Sequence, residues 1–129
     1  MTISIGGAIR TALIAESLPG VTGIYRDFAP PSAEKPYITY FDEITNITQM
    51  EGDKKVLARL RQVQVDLWQD KSVENVGLID SLVDSIDGIG NLGTAKFVYK
   101  VKVSDIQRMV SSEDNLVHHA ITLDVYTKA

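Results

Sequence analysis

The stretch Arg59–Gly88, RLRQVQVDLWQDKSVENVGLIDSLVDSIDG, decides how this chain folds. Val63, Val65 and Leu67 alternate with Gln62, Gln64, Asp66 and Trp68, the period of two that marks a strand with one buried face. Gln69-Asp70-Lys71 turns the chain, and Ser72 suits a helix N-cap because its hydroxyl can accept from an orphaned amide of the first turn. Val76, Ile79, Leu82, Val83 and Ile86 recur at helical spacing, and Gly88 is placed to supply a left-handed C-terminal cap. A strand running through a short break into an amphipathic helix, with no catalytic group on either, reads as a packing module. Leu60 sits on the opposite parity to Val63, which predicts a bulge or a sheet-edge excursion near it.

Working outward, Ser4 to Ser17 predicts a first helix with Ile5, Ile9, Ala12 and Leu13 on one side. Leu18-Pro19-Gly20 ends it, and Gly6 and Gly7 weaken its first turn. Gly23–Arg26 reads as a short strand. Ala29-Pro30-Pro31-Ser32-Ala33 reads as a loop, since proline fixes the backbone and lacks a donor. Pro36–Phe41 is rich in β-branched and aromatic residues and predicts a strand. Thr45–Lys55 is polar with a Gly52-Asp53 turn signal, and reads as a long loop or the mobile tip of a β-hairpin. The strand of the central stretch then spans about Ala58 to Gln69. Asp87–Thr94 reads as a Gly-rich loop. Phe97, Tyr99, Val101 and Val103 alternate with Lys100 and Lys102 as a further strand. Ser111–Asn115 is a turn, and Val117, His119, Ile121, Leu123 and Val125 alternate along a last strand. Runs of strands without regular βα alternation predict an α+β fold: a mostly antiparallel β-sheet packed against two α-helices, in one domain over residues 1–129.

The bulk composition bounds the function. The chain has 129 residues, long enough for a hydrophobic core without staples. A formal net charge of -4 argues against a general nucleic-acid binder, which carries a basic excess. Without cysteine there is no disulfide, thiolate chemistry or cysteine-based zinc site. No apolar run approaches a membrane span, and no signal-like apolar stretch follows a basic N-terminus, so synthesis in the cytoplasm is expected.

The chemical motifs point away from catalysis. Gly88-Ile89-Gly90-Asn91-Leu92-Gly93 matches the GxGxxG string of dinucleotide sites, but that chemistry needs the glycines after a strand and before a helix. Here a helix precedes and a strand follows, so a cap and connecting loop is the reading. His118 and His119 are adjacent on a strand and point to opposite faces, which does not favour chelation of one metal. Asp80, Asp84 and Asp87 share the polar side of the second helix and read as solvated. Asn46-Ile47-Thr48 fits a glycosylation sequon that a chain without a secretory signal would not use. Nothing resembles a nucleophile elbow or triad, and no enzyme activity or cofactor is expected. Trp68, on the polar parity beside Asp66, reads either as a cover over the sheet edge or a loop, or as an intersubunit contact. Lys54, Lys55, Arg59 and Arg61 form a basic cluster: a solvated strip, or a contact for an acidic protein surface or a nucleic-acid backbone.

Taken in order, IGGAIRTALIAESLPGV, GIYRDFAPP, KPYITYFDEI, a polar loop, RLRQVQVDLWQD, SVENVGLIDSLVDSIDG and a closing HHAITLDVY resemble the small tail-completion proteins of long-tailed bacteriophages, also called tail terminator or tail-to-head joining proteins. The resemblance covers most of the chain and is one of pattern and order, with VQVDLWQD and the helix after it the most specific piece. Arg59 and Arg61 depart from the expected apolar parity, so the start of that strand is expected to be loop. The resemblance implies a non-enzymatic virion protein at the head-proximal end of the tail, made in the host cytoplasm. Such proteins form a hexameric homo-oligomer that ends the tail tube and meets the head-completion protein. DNA passes through the lumen without sequence-specific binding, and no membrane is involved.

Under this resemblance the polar loops are the expected docking surfaces, because exposed strand edges and polar segments can order on binding. The expected subunit or partner contacts are Gln49, Glu51, Asp53, Lys54, Lys55, Arg59, Arg61, Trp68 and Asn91. Two other classes fit the same residues: a small α+β binding module with a ligand pocket between sheet and helices, and another connector of the same virion such as the head-completion stopper.

Overall fold

A computed structural model describes residues 5–16, 18, 20–52, 55–87 and 98–128. The order is α1 (Ile5–Glu16), β1 (Ile24–Arg26), β2 (Tyr37–Gly52), β3 (Lys55–Asp70), a 3-10 turn (Lys71–Val73), α2 (Val76–Ile86), β4 (Val98–Ser111) and β5 (Leu116–Lys128). The five strands form one sheet in the order β1-β2-β3-β5-β4. Only β1 is parallel to its neighbour; the other three pairings are antiparallel. This is the α+β architecture read from the sequence.

β3 is the centre of the sheet. It pairs with β5 from Ala58↔Lys128 to Asp70↔Leu116 without a register break. Val63, Val65 and Leu67 face Leu123, Ile121 and His119 across that ladder, and all are buried. Both helices lie on this face. Ile9 and Leu13 of α1 and Leu78, Leu82 and Ile86 of α2 join Ile38, Tyr40, Val98, Val101 and Val125 in one core cluster. The α2 stripe therefore begins at Leu78, with Ile79 and Val83 packed at its margin. Val76, which the helical spacing placed in the stripe, is exposed.

Of the two readings of Thr45–Lys55, a long loop or the tip of a β-hairpin, the structure has the hairpin, with paired strands in place of the loop. Thr45↔Gln62, Asn46↔Arg61, Ile47↔Leu60, Thr48↔Arg59 and Glu51↔Val56 continue the ladder out to Gly52↔Lys55. Strand pairing is a backbone interaction, so polar side chains did not preclude it, and Ile44, Thr45, Ile47 and Thr48 favour extended backbone. The same pairing overturns the loop expected around Arg59 and Arg61. The bulge expected near Leu60 falls on β2 instead. The extra residues lie on β2 between Phe41 and Thr45 and between Thr48 and Met50. A further shift between Met50 and Glu51 has its extra residue on β3 at Leu57, and from Ala58 onward β3 runs unbroken beside β5. Leu60 is simply buried on the other face of the sheet, between Ile47 and Tyr126.

In β4, Val101 and Val103 alternate with exposed Lys100 and Lys102 as predicted. A shift between Val98 and Lys100 brings Val98 into the core as well, and Phe97 lies outside the described residues. The strand continues to Ser111, well past the Val103 at which the alternation stopped.

Capping follows different residues from those predicted. Asn75, not Ser72, caps α2: its side-chain oxygen accepts from Gly77 N at 3.0 Å. Buried Gln69 holds Asn75 in place, accepting from its N–H at 2.9 Å and donating to its carbonyl at 3.4 Å. Ser72 belongs to a staple with Asn115 of the β4–β5 turn. Its N–H donates to Asn115 Oδ1 at 3.0 Å, and its hydroxyl accepts from Asn115 Nδ2 at 3.1 Å. Asn115 sits at φ 50, the left-handed region that asparagine tolerates. At the other end Asp87, in extended conformation, forms the cap of α2, and Gly88 lies outside the described residues.

Leu82 is fully buried at the middle of the α2 stripe. Leu82→Ala should destabilise the protein by about 2–5 kcal/mol, read from the urea midpoint at constant slope. A loss below about 1 kcal/mol would mean that α2 is not packed on the sheet as described.

Candidate functional site

Alternation gives the sheet a second face, away from the helices, and its chemistry differs. Tyr37, Trp68 and His118 are cross-strand partners on β2, β3 and β5. Trp68 stacks on His118 with ring centroids 3.8 Å apart and an angle of 7° between planes. Tyr37 stands 6.4 Å from Trp68, and Tyr25 of β1 meets Tyr37 edge-on at 6.1 Å. The four rings form a ladder across one end of the sheet. Trp68 Nε1 donates to Thr39 Oγ1 at 2.9 Å, which fixes the indole.

Beneath the ladder lies Asp66, only 1% exposed. Gln64 Nε2 donates to both its carboxylate oxygens, at 2.9 and 3.1 Å. His118 Nε2 approaches Asp66 Oδ1 to 3.2 Å, an ion-pair distance for protonated imidazole but off the line of a hydrogen bond. A buried carboxylate must be paired or hydrogen-bonded, and Gln64 and His118 supply that role here. Buried Thr39 is the cross-strand partner of Asp66, and its hydroxyl accepts from Trp68 Nε1; no described hydrogen bond joins a hydroxyl or a lysine to the His118–Asp66 pair. The arrangement holds strands together and leaves the carboxylate engaged.

On the helix side, His119 is 5% exposed and its Nδ1 finds no hydrogen-bond partner. Nearby, Arg108 binds Glu74 through two contacts, at 2.7 and 3.2 Å. Arg108 holds the Glu74 carboxyl below its ordinary value. Burial pushes the His119 imidazole below its ordinary value; the charges of Arg108 and His118 act the same way, while Glu74 opposes them. His118 and His119 thus lie on opposite faces, as their adjacency on a strand requires. Among the described residues no group of three or more His, Asp and Glu is placed to hold a metal ion.

The residues singled out as contacts do not form one cluster. Gln49 and Glu51 lie on the far part of β2, and Lys55 and Arg59 on the facing part of β3. Asp53, Lys54 and Asn91 lie outside the described residues. Arg61 is half-buried and its Nε donates to Thr127 Oγ1 at 3.2 Å, so it belongs to the β3–β5 pairing. Trp68 stands roughly 40 Å along β3 from Lys55 at strand rise, in the ring ladder rather than at a sheet edge. Asp80 and Asp84 are exposed as expected, but Asp87 does more: its Oδ1 accepts from Val103 N at 3.0 Å and ties α2 to β4. Sequence reading missed the pairing of Trp68 with His118. β3 and β5 are separated in the chain by α2 and β4, so no connecting turn marks their register in the sequence.

The binding-module class calls for a pocket between sheet and helices. The structure has a depression of about 260 Å³ beside α1, lined by Arg10, Leu13, Ile14, Leu18, Val21 and Ile24 among others. Its one charged side chain, Arg10, donates from Nε to the Ile24 carbonyl at 3.1 Å. Thr22, also in the lining, donates its hydroxyl to the Glu34 and Pro36 carbonyls, and the lining holds no carboxylate or imidazole.

No family model and no curated protein sequence matches this chain. A solved structure does. A chain from the virion of a native gene transfer agent (GTA) particle superposes with a TM-score of 0.75 at 10% sequence identity. The match covers 98% of this chain and 96% of that one, so the fold is shared end to end.

His119 predicts a pH dependence. Its folded value lies below 6.5, so near that pH the unfolded chain binds the proton more readily. Stability should fall as pH drops through 6.5, and His119→Phe should flatten that part of the curve in denaturant titrations between pH 7.5 and about 5. An unchanged slope in the variant would place the titrating group elsewhere.

Proposed function

We propose that this protein is a structural component of a phage-like virion that caps the head-proximal end of the tail tube and joins it to the head-completion protein. The observation that carries the reading is the end-to-end fold likeness to a chain of a gene transfer agent virion. The order of sequence segments, which resembles tail-completion proteins, supports it independently. So does the chemistry of the sheet: buried Asp66 is held by Gln64 and His118, and the lining of the depression beside α1 has no carboxylate or imidazole.

In this reading the protein acts by assembly. Identical copies form a closed ring, six by the family resemblance, through a heterologous interface whose rotation closes on itself. The ring stops addition of tube subunits at one end and offers its opposite surface to the head. DNA passes through its opening without being read. The end of the β2–β3 hairpin, with Gln49 and Glu51 on one strand and Lys55 and Arg59 on the other, is the surface that meets a neighbouring ring in this reading.

A nonsense mutation in the gene, grown with and without a suppressor host, tests the proposal. Electron microscopy of the non-suppressed lysate should show filled heads without tails and free tails of uncontrolled length. Normal tailed particles in that lysate would reject it, and complete tails beside empty heads would favour the stopper role.

A further inference from the structure

The segments on either side of β1 carry complementary surfaces. After the strand, Asp27 and Phe28 form a tight turn. Asp27 stands at φ 65, its N–H donates to the Tyr40 carbonyl at 2.8 Å, and Phe28 N–H donates to the Arg26 carbonyl at 2.8 Å. The turn holds out an aromatic ring that is 80% exposed, the most exposed large apolar side chain among the described residues. Before the strand, Val21–Ile24 and α1 border the depression of about 260 Å³. Leu13, Leu18, Val21 and Ile24 line it, exposed Ile14 stands on its lip, and Arg10 is its one charged side chain. A cavity of about 150 Å³ lined by apolar side chains is enough to bind benzene. The depression therefore has room for a phenylalanine ring, and the chain's own Phe28 is not in it.

We infer that the free protein pairs through a two-fold contact in which Phe28 of each copy seats in the depression beside α1 of the other, with Asp27 meeting Arg10. Three observations make the occupant a second copy. The first is chemistry. An apolar depression with a guanidinium on its lip fits an apolar ring beside an anion, and Asp27-Phe28 presents both, adjacent and exposed. The second is placement. β1 is an edge strand, and the two surfaces lie just before it and just after it. A two-fold axis normal to the sheet beside β1 sets two copies of that strand antiparallel. The segment after β1 in each copy then lies beside the segment before β1 in the other. Both rings reach both depressions at once, as a self-complementary contact requires.

Charge is the third observation. Arg10 Nε donates to the Ile24 carbonyl at 3.1 Å, which holds the guanidinium at the lip, and no described bond takes its terminal nitrogens. Asp27 is in none of the described ion pairs. The other exposed charges beside β1 are Arg26 and Glu34, one of each sign, and Lys35, which is engaged by Asp70 at 3.6 Å. The edge therefore does not repel its own copy. No strand lies on the open side of β1 among the described residues. The contact saturates at two copies. It belongs to the protein away from tail tubes and does not rest on the ring reading.

Sedimentation equilibrium of the purified protein, without tail tubes, tests the pairing. The unaltered protein should show twice 14.2 kDa. Phe28→Asp, which removes the ring, and Ile14→Asp, which alters the lip, should each show 14.2 kDa at the same loading while folded by circular dichroism. Asp27→Asn keeps a side chain that tolerates φ 65 and removes the charge. Asp27→Asn and Arg10→Gln should each weaken the dimer roughly two- to fivefold. The double variant should weaken it no further than either one, because the two side chains share one contact. A mass of 14.2 kDa for the unaltered protein at every loading would overturn the inference. So would a dimer that survives Phe28→Asp or Ile14→Asp, or additive losses from Asp27→Asn and Arg10→Gln. A larger assembly that Phe28→Asp disperses would show a head-to-tail contact and overturn the two-fold form. None of these results bears on tail capping, which the nonsense mutation tests separately.

Discussion

The continuous pairing of β3 with β5 is the constraint on which the rest of the structure depends. Thirteen cross-strand positions, Ala58↔Lys128 through Asp70↔Leu116, follow one another with no break. A slip of one residue would carry Val63, Val65 and Leu67 from beneath the helices to the opposite face, and would bring Asp66 and Trp68 into the core. The two faces resist such a slip together. On one, the helices bury an aliphatic set; on the other, Trp68 stacks on His118 and Asp66 takes Gln64. Alongside this ladder the bulges fall on β2 and β4, the strands flanking this pair, so the outer strands adjust their twist while the central ladder stays regular.

What could be read from sequence was what alternates or repeats. The period of two in Val63–Leu67 and Val117–Val125 placed the two central strands and their buried face, and the helical spacing of Leu82, Val83 and Ile86 placed α2. The errors have a common cause: local chemistry was read where pairing decided. Polar Thr45–Gly52 left a loop and a hairpin tip both open, and the hairpin forms because a strand needs only a partner backbone, which β3 provides. Ser72 looked like a cap, but a 3-10 turn intervenes and Gln69 sets Asn75 at the helix start. Leu60 suggested a bulge because one-sided burial was assumed, whereas the sheet buries a residue on each face.

The candidate site was less legible for the same reason. Trp68 is half-buried in the ring ladder on the face away from the helices, and Arg61 donates to Thr127, and neither arrangement is marked by local sequence. The exposed apolar residues Phe28, Ile106, Met109 and Val110 carry no motif, and only the strand order shows that the last three lie on an edge strand. A protein that works by assembly spreads its function along edges, where neither spacing nor residue type marks it. The fold likeness to a virion chain at 10% identity fits this view, since architecture can persist where side chains do not.

The central claim is that identical copies close into a ring on one end of a tail tube. Cryo-electron microscopy of purified tubes incubated with the purified protein tests it most directly. The account predicts a closed ring of added density at a single end of each tube and none along its length. Tubes bare at both ends, or decorated along their sides, would contradict it.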